Sequence, residues 1–118
     1  MRKLLVVDDV PSNLKLIAGM LYSHYNICIS SKGEEAIKIA ISEKPDLIIL
    51  DIVMPDMDGL DIYLSLKEDS LTRNIPVLFY TAKAITKEIE KELIDGQAYY
   101  ITKPATKTDL LAMINSII

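Results

Sequence analysis

Two short apolar runs in this chain end in acid, and a third ends in a polar-tipped ring. Residues 3–8 read Lys-Leu-Leu-Val-Val-Asp, and residues 46–51 read Asp-Leu-Ile-Ile-Leu-Asp. Residues 75–80 read Ile-Pro-Val-Leu-Phe-Tyr and are followed by Thr81. Unbroken apolar runs of this length predict strands buried on both faces, as in a parallel sheet. Residues 25–30 and 98–102 predict two weaker strands. Helical periodicity fills the gaps. Leu14, Ile17, Ala18 and Leu21 share one helical face after Pro11, a residue suited to a first turn. Ala36, Ile39 and Ala40 do the same, with Glu34 and Glu35 at the amino end, where acids are favoured. Further helices are predicted over about residues 60–68, 85–94 and 107–117. In the fourth helix Ile85, Ile89 and Leu93 recur every four residues, and Gly96 supplies a stop. The last helix carries Leu110, Leu111, Met113, Ile114 and Ile117, with Ile118 just beyond, a broader apolar surface than one core-facing stripe.

Strand followed by helix, repeated five times, predicts right-handed crossovers and an α/β fold: a flavodoxin-like, doubly wound parallel sheet in the order 2-1-3-4-5 with five helices. In such sheets a ligand sits at the carboxyl ends of the strands, where the order reverses. The search for function therefore narrows to the ends of strands one, three, four and five.

Composition is consistent with one domain over residues 1–118. Half of the residues are hydrophobic and a quarter charged, which argues against disorder. No apolar run approaches the ~20 residues of a membrane span. The basic start, Met1-Arg2-Lys3, leads into an apolar stretch that Asp8 and Asp9 end too soon for a signal peptide. Cys28 is the single cysteine, which fits a reducing cytoplasm. A net charge of −4 with no basic run speaks against direct binding of nucleic acid.

The rim that the strand ends define is rich in chemistry. Asp8 and Asp9 close the first strand, Asp51 the third and Thr81 the fourth, and Lys103 follows the fifth. Converging carboxylates repel unless a cation lies between them. Mg²⁺ suits oxygen ligands and phosphate partners, and no His/Cys cluster points to zinc. A metal, a lysine and a hydroxyl around a carboxylate nucleophile are the parts of a phosphoryl-transfer site. Each residue also has an ordinary reading. Asp9 could cap the first helix, Asp51 open a turn before Met54-Pro55, Thr81 cap a helix, and Lys103 sit in a solvated loop. Their joint occurrence at strand ends favours the functional reading.

Four segments carry a specific resemblance: Val6-Val7-Asp8-Asp9, Leu50 through Gly59 (Leu-Asp-Ile-Val-Met-Pro-Asp-Met-Asp-Gly), Tyr80-Thr81-Ala82, and Tyr100-Ile101-Thr102-Lys103-Pro104. In order and spacing they resemble the response-regulator receiver domains of two-component systems, along essentially the whole chain. The resemblance implies a phosphoacceptor at Asp51. It implies Mg²⁺ held directly by Asp9, Asp51 and the backbone carbonyl of Val53, with Asp8 acting mainly through a metal-bound water. Thr81 and Lys103 would contact the phosphoryl oxygens, Tyr100 would be the aromatic switch residue, and the Lys103–Pro104 peptide would be cis. The donor would be a phosphohistidine on a sensor histidine kinase or phosphotransfer domain. The output would be a downstream effector domain or protein, or a homodimer formed through the fourth helix, fifth strand and fifth helix. Such a switch catalyses only its own phosphorylation and dephosphorylation, without direct nucleic-acid or membrane binding. Asp9-Val10-Pro11-Ser12-Asn13 is similar to receivers in hybrid kinases and those fused to cyclic-dinucleotide enzymes. Two positions depart from the pattern: Ala105 stands where the family usually has Phe, and Gln97 where it usually has Ala. Val53 and Lys83, two residues after Asp51 and Thr81, are expected to flank the phosphoryl group and tune water access.

Two other readings compete with this one. Asp56-Met57-Asp58-Gly59 fits the Asp-x-Asp-Gly pattern of haloacid-dehalogenase-type phosphatases, but there the first Asp directly follows a strand, as Asp51 does here. A pseudo-receiver, an interaction module without phosphorylation, would be expected to lack an acid, Thr81 or Lys103. His24 has no partner motif that would make it a phosphohistidine.

Overall fold

A computed structural model describes residues 1–54, 57–82, 86–95 and 98–118. Pro55, Asp56, Lys83, Ile85, Gly96 and Gln97, named above, lie outside the described residues, as does the side chain of Leu93. The elements alternate as expected: β1 (Lys3–Val7), α1 (Pro11–Leu21), β2 (Asn26–Ser30), α2 (Gly33–Glu43), β3 (Leu47–Leu50), α3 (Gly59–Glu68), β4 (Val77–Thr81), α4 (Lys87–Asp95), β5 (Tyr99–Thr102) and α5 (Lys107–Ile117). All strand pairs are parallel, and the sheet order is β2-β1-β3-β4-β5. The acids expected to finish β1 and β3 lie one residue beyond them, so both carboxylates stand on the rim rather than in the ladder.

Two-residue alternation divides the core. Leu5, Val7, Ile48, Leu50, Val77 and Phe79 face α2 and α3, where Ala36, Ala40, Ile62, Tyr63 and Leu66 cover them. Ile89 of α4 packs on this side. Leu4, Val6, Leu47, Ile49, Leu78 and Tyr80 face α1 and α5, under Leu14, Ile17, Leu21, Leu110 and Ile114. Of the broad apolar surface of α5, Leu110 and Ile114 are fully inside the fold. Leu111, Met113, Ile117 and Ile118 pack partly buried against this second cluster, so part of α5's apolar surplus serves the core. The edge strands are more open, with Tyr99 and Tyr100 of β5 exposed.

Register carries the strand ends to one place. Val7 is level with Leu50, and Thr81 with Thr102. The next residues, Asp8 and Asp51, therefore leave adjacent strands side by side, and Lys103 leaves the same rim from β5, on the far side of β4. The ladder is carried past the strand ends by Asp51 N–H donating to the Val7 carbonyl (3.1 Å) and Lys103 N–H to the Thr81 carbonyl (2.9 Å).

Candidate phosphoacceptor site

Asp8 is buried, and both of its carboxylate oxygens are engaged. Oδ1 accepts from the Val10 N–H (3.0 Å), while Oδ2 accepts from Lys103 Nζ (2.7 Å) and, more weakly, from Asn13 Nδ2 (3.4 Å). Asp51 is nearly as enclosed, its side chain 12% exposed. Its Oδ1 accepts from the Val53 N–H (3.2 Å) and its Oδ2 from Lys103 Nζ (3.2 Å). The Lys103 ammonium thus bridges two carboxylates that sequence separates by 43 positions. Asp9 is half-buried beside them, and one carboxylate oxygen from each of Asp8, Asp9 and Asp51 lies within 4.8 Å of the others. Three carboxylates facing one ammonium keep the cluster negative, with an all-oxygen donor set of the kind that holds a hard divalent cation.

The ordinary readings do not describe Asp9, Thr81 or Lys103, whereas Asp51 does open a turn, its Oδ1 accepting the Val53 N–H. Val10, not Asp9, is the N-cap of α1, and it makes no side-chain cap bond. Thr81 is fully buried as the last residue of β4, well before α4 begins at Lys87. The Lys103 side chain is 16% exposed, not solvated. Asp58, by contrast, is a cap: its Oδ1 accepts the Leu60 N–H at 2.9 Å and starts α3. Val53 is exposed beside Asp51 and Tyr100 is exposed on the edge strand. His24 is exposed between α1 and β2, on the rim opposite the acids. The Lys103–Pro104 peptide is cis, as the resemblance implied.

Burial pulls the Lys103 pKa down, but the hydrogen bonds and charges of Asp8 and Asp51 outweigh it and hold the pKa above its ordinary value. The ammonium is therefore retained at neutral pH. A group raised on folding adds stability that is fully present below its unfolded pKa, near 10.5, and is lost as pH rises through the folded value. In chelator-treated protein, Lys103→Met is expected to melt below wild type at pH 8, with the gap narrowing above about pH 10.5. Thermal melts across that range check it. A gap that stays constant or widens would contradict the assignment.

Two supporting positions were not singled out in the sequence. Asn13 reaches Asp8 from the first turns of α1, and Tyr80 lies under Lys103 with its ring centroid 5.4 Å from Nζ. Gly59 was legible only as part of a motif, yet a Cβ there would lie 2.1 Å from the Asp51 carbonyl oxygen.

Fold and rim together define a class: doubly wound α/β domains with an acidic pocket and a fixed lysine at the carboxyl edge of the sheet. Residues 4–115 match the family model for the response regulator receiver domain, and the chain belongs to that family. It is 34% identical over 116 residues to Response regulator PleD of Caulobacter vibrioides, covering 98% of this chain but 26% of PleD. Among solved structures it resembles chemotaxis protein CheY4 of Vibrio cholerae, with a TM-score of 0.92, 27% identity, and coverage of 100% of this chain and 99% of that one. It also resembles the receiver domain of sensor histidine kinase PA1611 from Pseudomonas aeruginosa, whose active-site cleft coordinates a magnesium ion. That match has a TM-score of 0.87 and 27% identity over 98% of this chain and 95% of that one. No helix among the described residues is long and apolar enough to cross a membrane.

Proposed function

We propose that this receiver domain takes a phosphoryl group onto Asp51 from a phosphohistidine donor and thereby switches a protein-interaction surface. The observation that carries this reading is the Lys103 ammonium bridging Asp8 and Asp51, with the Asp9 carboxylate in the same cluster. The residues fit Mg²⁺: Asp9, Asp51 and the Val53 carbonyl would hold it directly and Asp8 through water, as in the family. Bound there, the ion supplies positive charge to offset the carboxylates and the phosphoryl oxygens.

The protein's own groups do the rest. A carboxylate oxygen of Asp51 forms the new P–O bond as the P–N bond to the donor imidazole breaks, and the imidazole leaves with the bonding pair. Lys103, already at Asp51, turns its ammonium to the incoming phosphoryl oxygens. The Thr81 hydroxyl donates to another of them. Lys103 is already held at Asp51, so its ammonium needs little reorganisation as charge accumulates there. Phosphorylation adds about −2 charge and three strong acceptors. Movement of Thr81 toward them frees space that Tyr100, now on the open edge of β5, turns inward to fill. The face of α4, β5 and α5 changes shape, and a bias of a few kcal/mol suffices to shift its population. A kinase or phosphotransfer domain is the proposed donor and an effector, in the same chain or separate, the reader.

Acetyl phosphate with Mg²⁺ is expected to add one acid-stable, base-labile phosphoryl group, and a chelator is expected to abolish the addition. Labelling that proceeds unchanged in chelator would refute the metal-dependent reading. For the switch, beryllofluoride is expected to move amide resonances of Thr81, Tyr100 and residues 98–118. Shifts confined to the acid pocket would defeat the proposed coupling.

A further inference from the structure

We infer that Tyr80 is a positioning residue, which holds Lys103 over the acid pocket through its ring and its hydroxyl. The inference deepens the phosphoacceptor reading and rests on it. Tyr80 precedes Thr81 on β4 and points to the same side of the sheet as Asp8, Asp51 and Lys103, as the two-residue alternation requires. It is 5% exposed, and its ring centroid lies 5.4 Å from Lys103 Nζ. Its hydroxyl accepts the backbone N–H of Ala105 at 3.1 Å. The Lys103 N–H donates to the Thr81 carbonyl at 2.9 Å. The segment that carries Lys103 is thus tied to β4 at two successive residues of that strand, once through backbone and once through the Tyr80 side chain.

This arrangement answers a question that the sequence raises. Ala105 is small where receivers usually carry Phe, and an apolar groove of about 290 Å³ opens between Asn13 and Ile17 of α1 and Tyr80, Lys103 and Pro104. Ala105 packs partly buried against the α1/α5-side core, and the groove lies beside it. The Tyr80 hydroxyl adds a directional anchor to that packing. The ring face, negative in its quadrupole, favours the ammonium above it, and the two carboxylates draw that ammonium toward the pocket. A lysine on a four-carbon stem has many rotamers. The ring excludes those that would lead it away from Asp8 and Asp51.

A purely structural tyrosine would be replaced by leucine with a loss of stability and nothing specific to Lys103. Three variants separate the cases: Tyr80→Phe, Tyr80→Leu, and Tyr80→Leu combined with Lys103→Met. With acetyl phosphate, Tyr80→Phe is expected to label about threefold more slowly, through loss of the anchor alone. Tyr80→Leu is expected to label about tenfold more slowly, because the ring is lost too. In the Lys103→Met background the same Tyr80→Leu change is expected to have no further effect, because its influence passes through the ammonium. A second readout does not depend on activity. The Lys103 ε-methylene protons are expected to resonate upfield under the Tyr80 ring, to stay there in Tyr80→Phe, and to return toward free lysine in Tyr80→Leu. The inference is overturned if Tyr80→Leu slows labelling equally with and without Lys103, or if the ε-methylene resonance does not respond to removal of the ring. If wild-type protein accepts no phosphoryl group, the phosphoacceptor reading fails, and the resonance still decides whether Tyr80 positions Lys103.

Discussion

Asp51→Asn is expected to reduce phosphoryl acceptance to background while leaving the fold intact. Asparagine keeps the shape of aspartate and an oxygen to accept the Val53 N–H, so the turn after β3 is preserved. Lys103 keeps its shorter partner, Asp8 at 2.7 Å. What disappears is the anionic oxygen that forms the bond to phosphorus, since an amide oxygen is a far weaker nucleophile. One negative charge also leaves a group of three carboxylates spaced within 4.8 Å. At that spacing two like charges near a protein surface repel by roughly 3 kcal/mol, part of which Lys103 already offsets. The metal-free variant is therefore expected to melt at or slightly above the wild-type temperature. Loss of labelling together with loss of structure would mean that the substitution had not isolated the nucleophile. Phosphate content and a thermal melt on the same sample distinguish the two.

Gly59→Ala is expected to be the most destabilising small substitution near the site. A Cβ at Gly59 would sit 2.1 Å from the Asp51 carbonyl oxygen, 2.7 Å from Ile52 Cα and 2.9 Å from the Asp51 carbonyl carbon. All three are backbone atoms, so no side chain can swing away. The start of α3 is also tied to this segment by the Gly59 N–H donating to the Ile52 carbonyl at 2.8 Å. Relief requires α3 to back off or the turn after β3 to move, and either displaces Asp51. A cost of about 3 kcal/mol is expected, at the upper end for overpacking. That corresponds to a fall in melting temperature of about 10 °C for a domain of this size. The internal control is Gly19→Ala in α1, where an added Cβ meets nothing within 4 Å. Alanine is the better helix former there, and a gain of roughly 0.5–1 kcal/mol is expected. Equal melting temperatures for the two variants would contradict the close approach.

Alternation of apolar runs and helical stripes was enough to read a parallel sheet with helices on both faces, because the central strands are short unbroken runs and each crossover carries a periodic helix; the order 2-1-3-4-5 was the expectation for a flavodoxin-like sheet, and the structure has it. The site residues were legible for a related reason. A charged or hydroxyl residue directly after such a run has only the carboxyl rim to occupy. The pairing within the rim was not legible. That Asp8 and Asp51 share one ammonium follows from the register of Val7 against Leu50, which no local pattern encodes. Tyr80 read as the last member of an apolar run, and its partner Ala105 lies 25 residues away. The breadth of α5's apolar surface was legible, but not that part of it packs on a cluster that includes α1, near the other end of the chain. Gly59 needed no unusual dihedral, so its close approach to Asp51 appears only in three dimensions.

Phosphoryl acceptance by this domain is a covalent bond between Asp51 and phosphorus, and that bond can be read directly. Borohydride cleaves an acyl phosphate and reduces the aspartyl carbonyl to an alcohol, which leaves homoserine at the modified position. Protein treated with acetyl phosphate and Mg²⁺, reduced, digested and sequenced by mass spectrometry is predicted to carry homoserine at position 51 alone, and at no position when the metal is chelated. Homoserine at Asp8, Asp9 or another acid, or none in protein that binds Mg²⁺, would contradict the assignment.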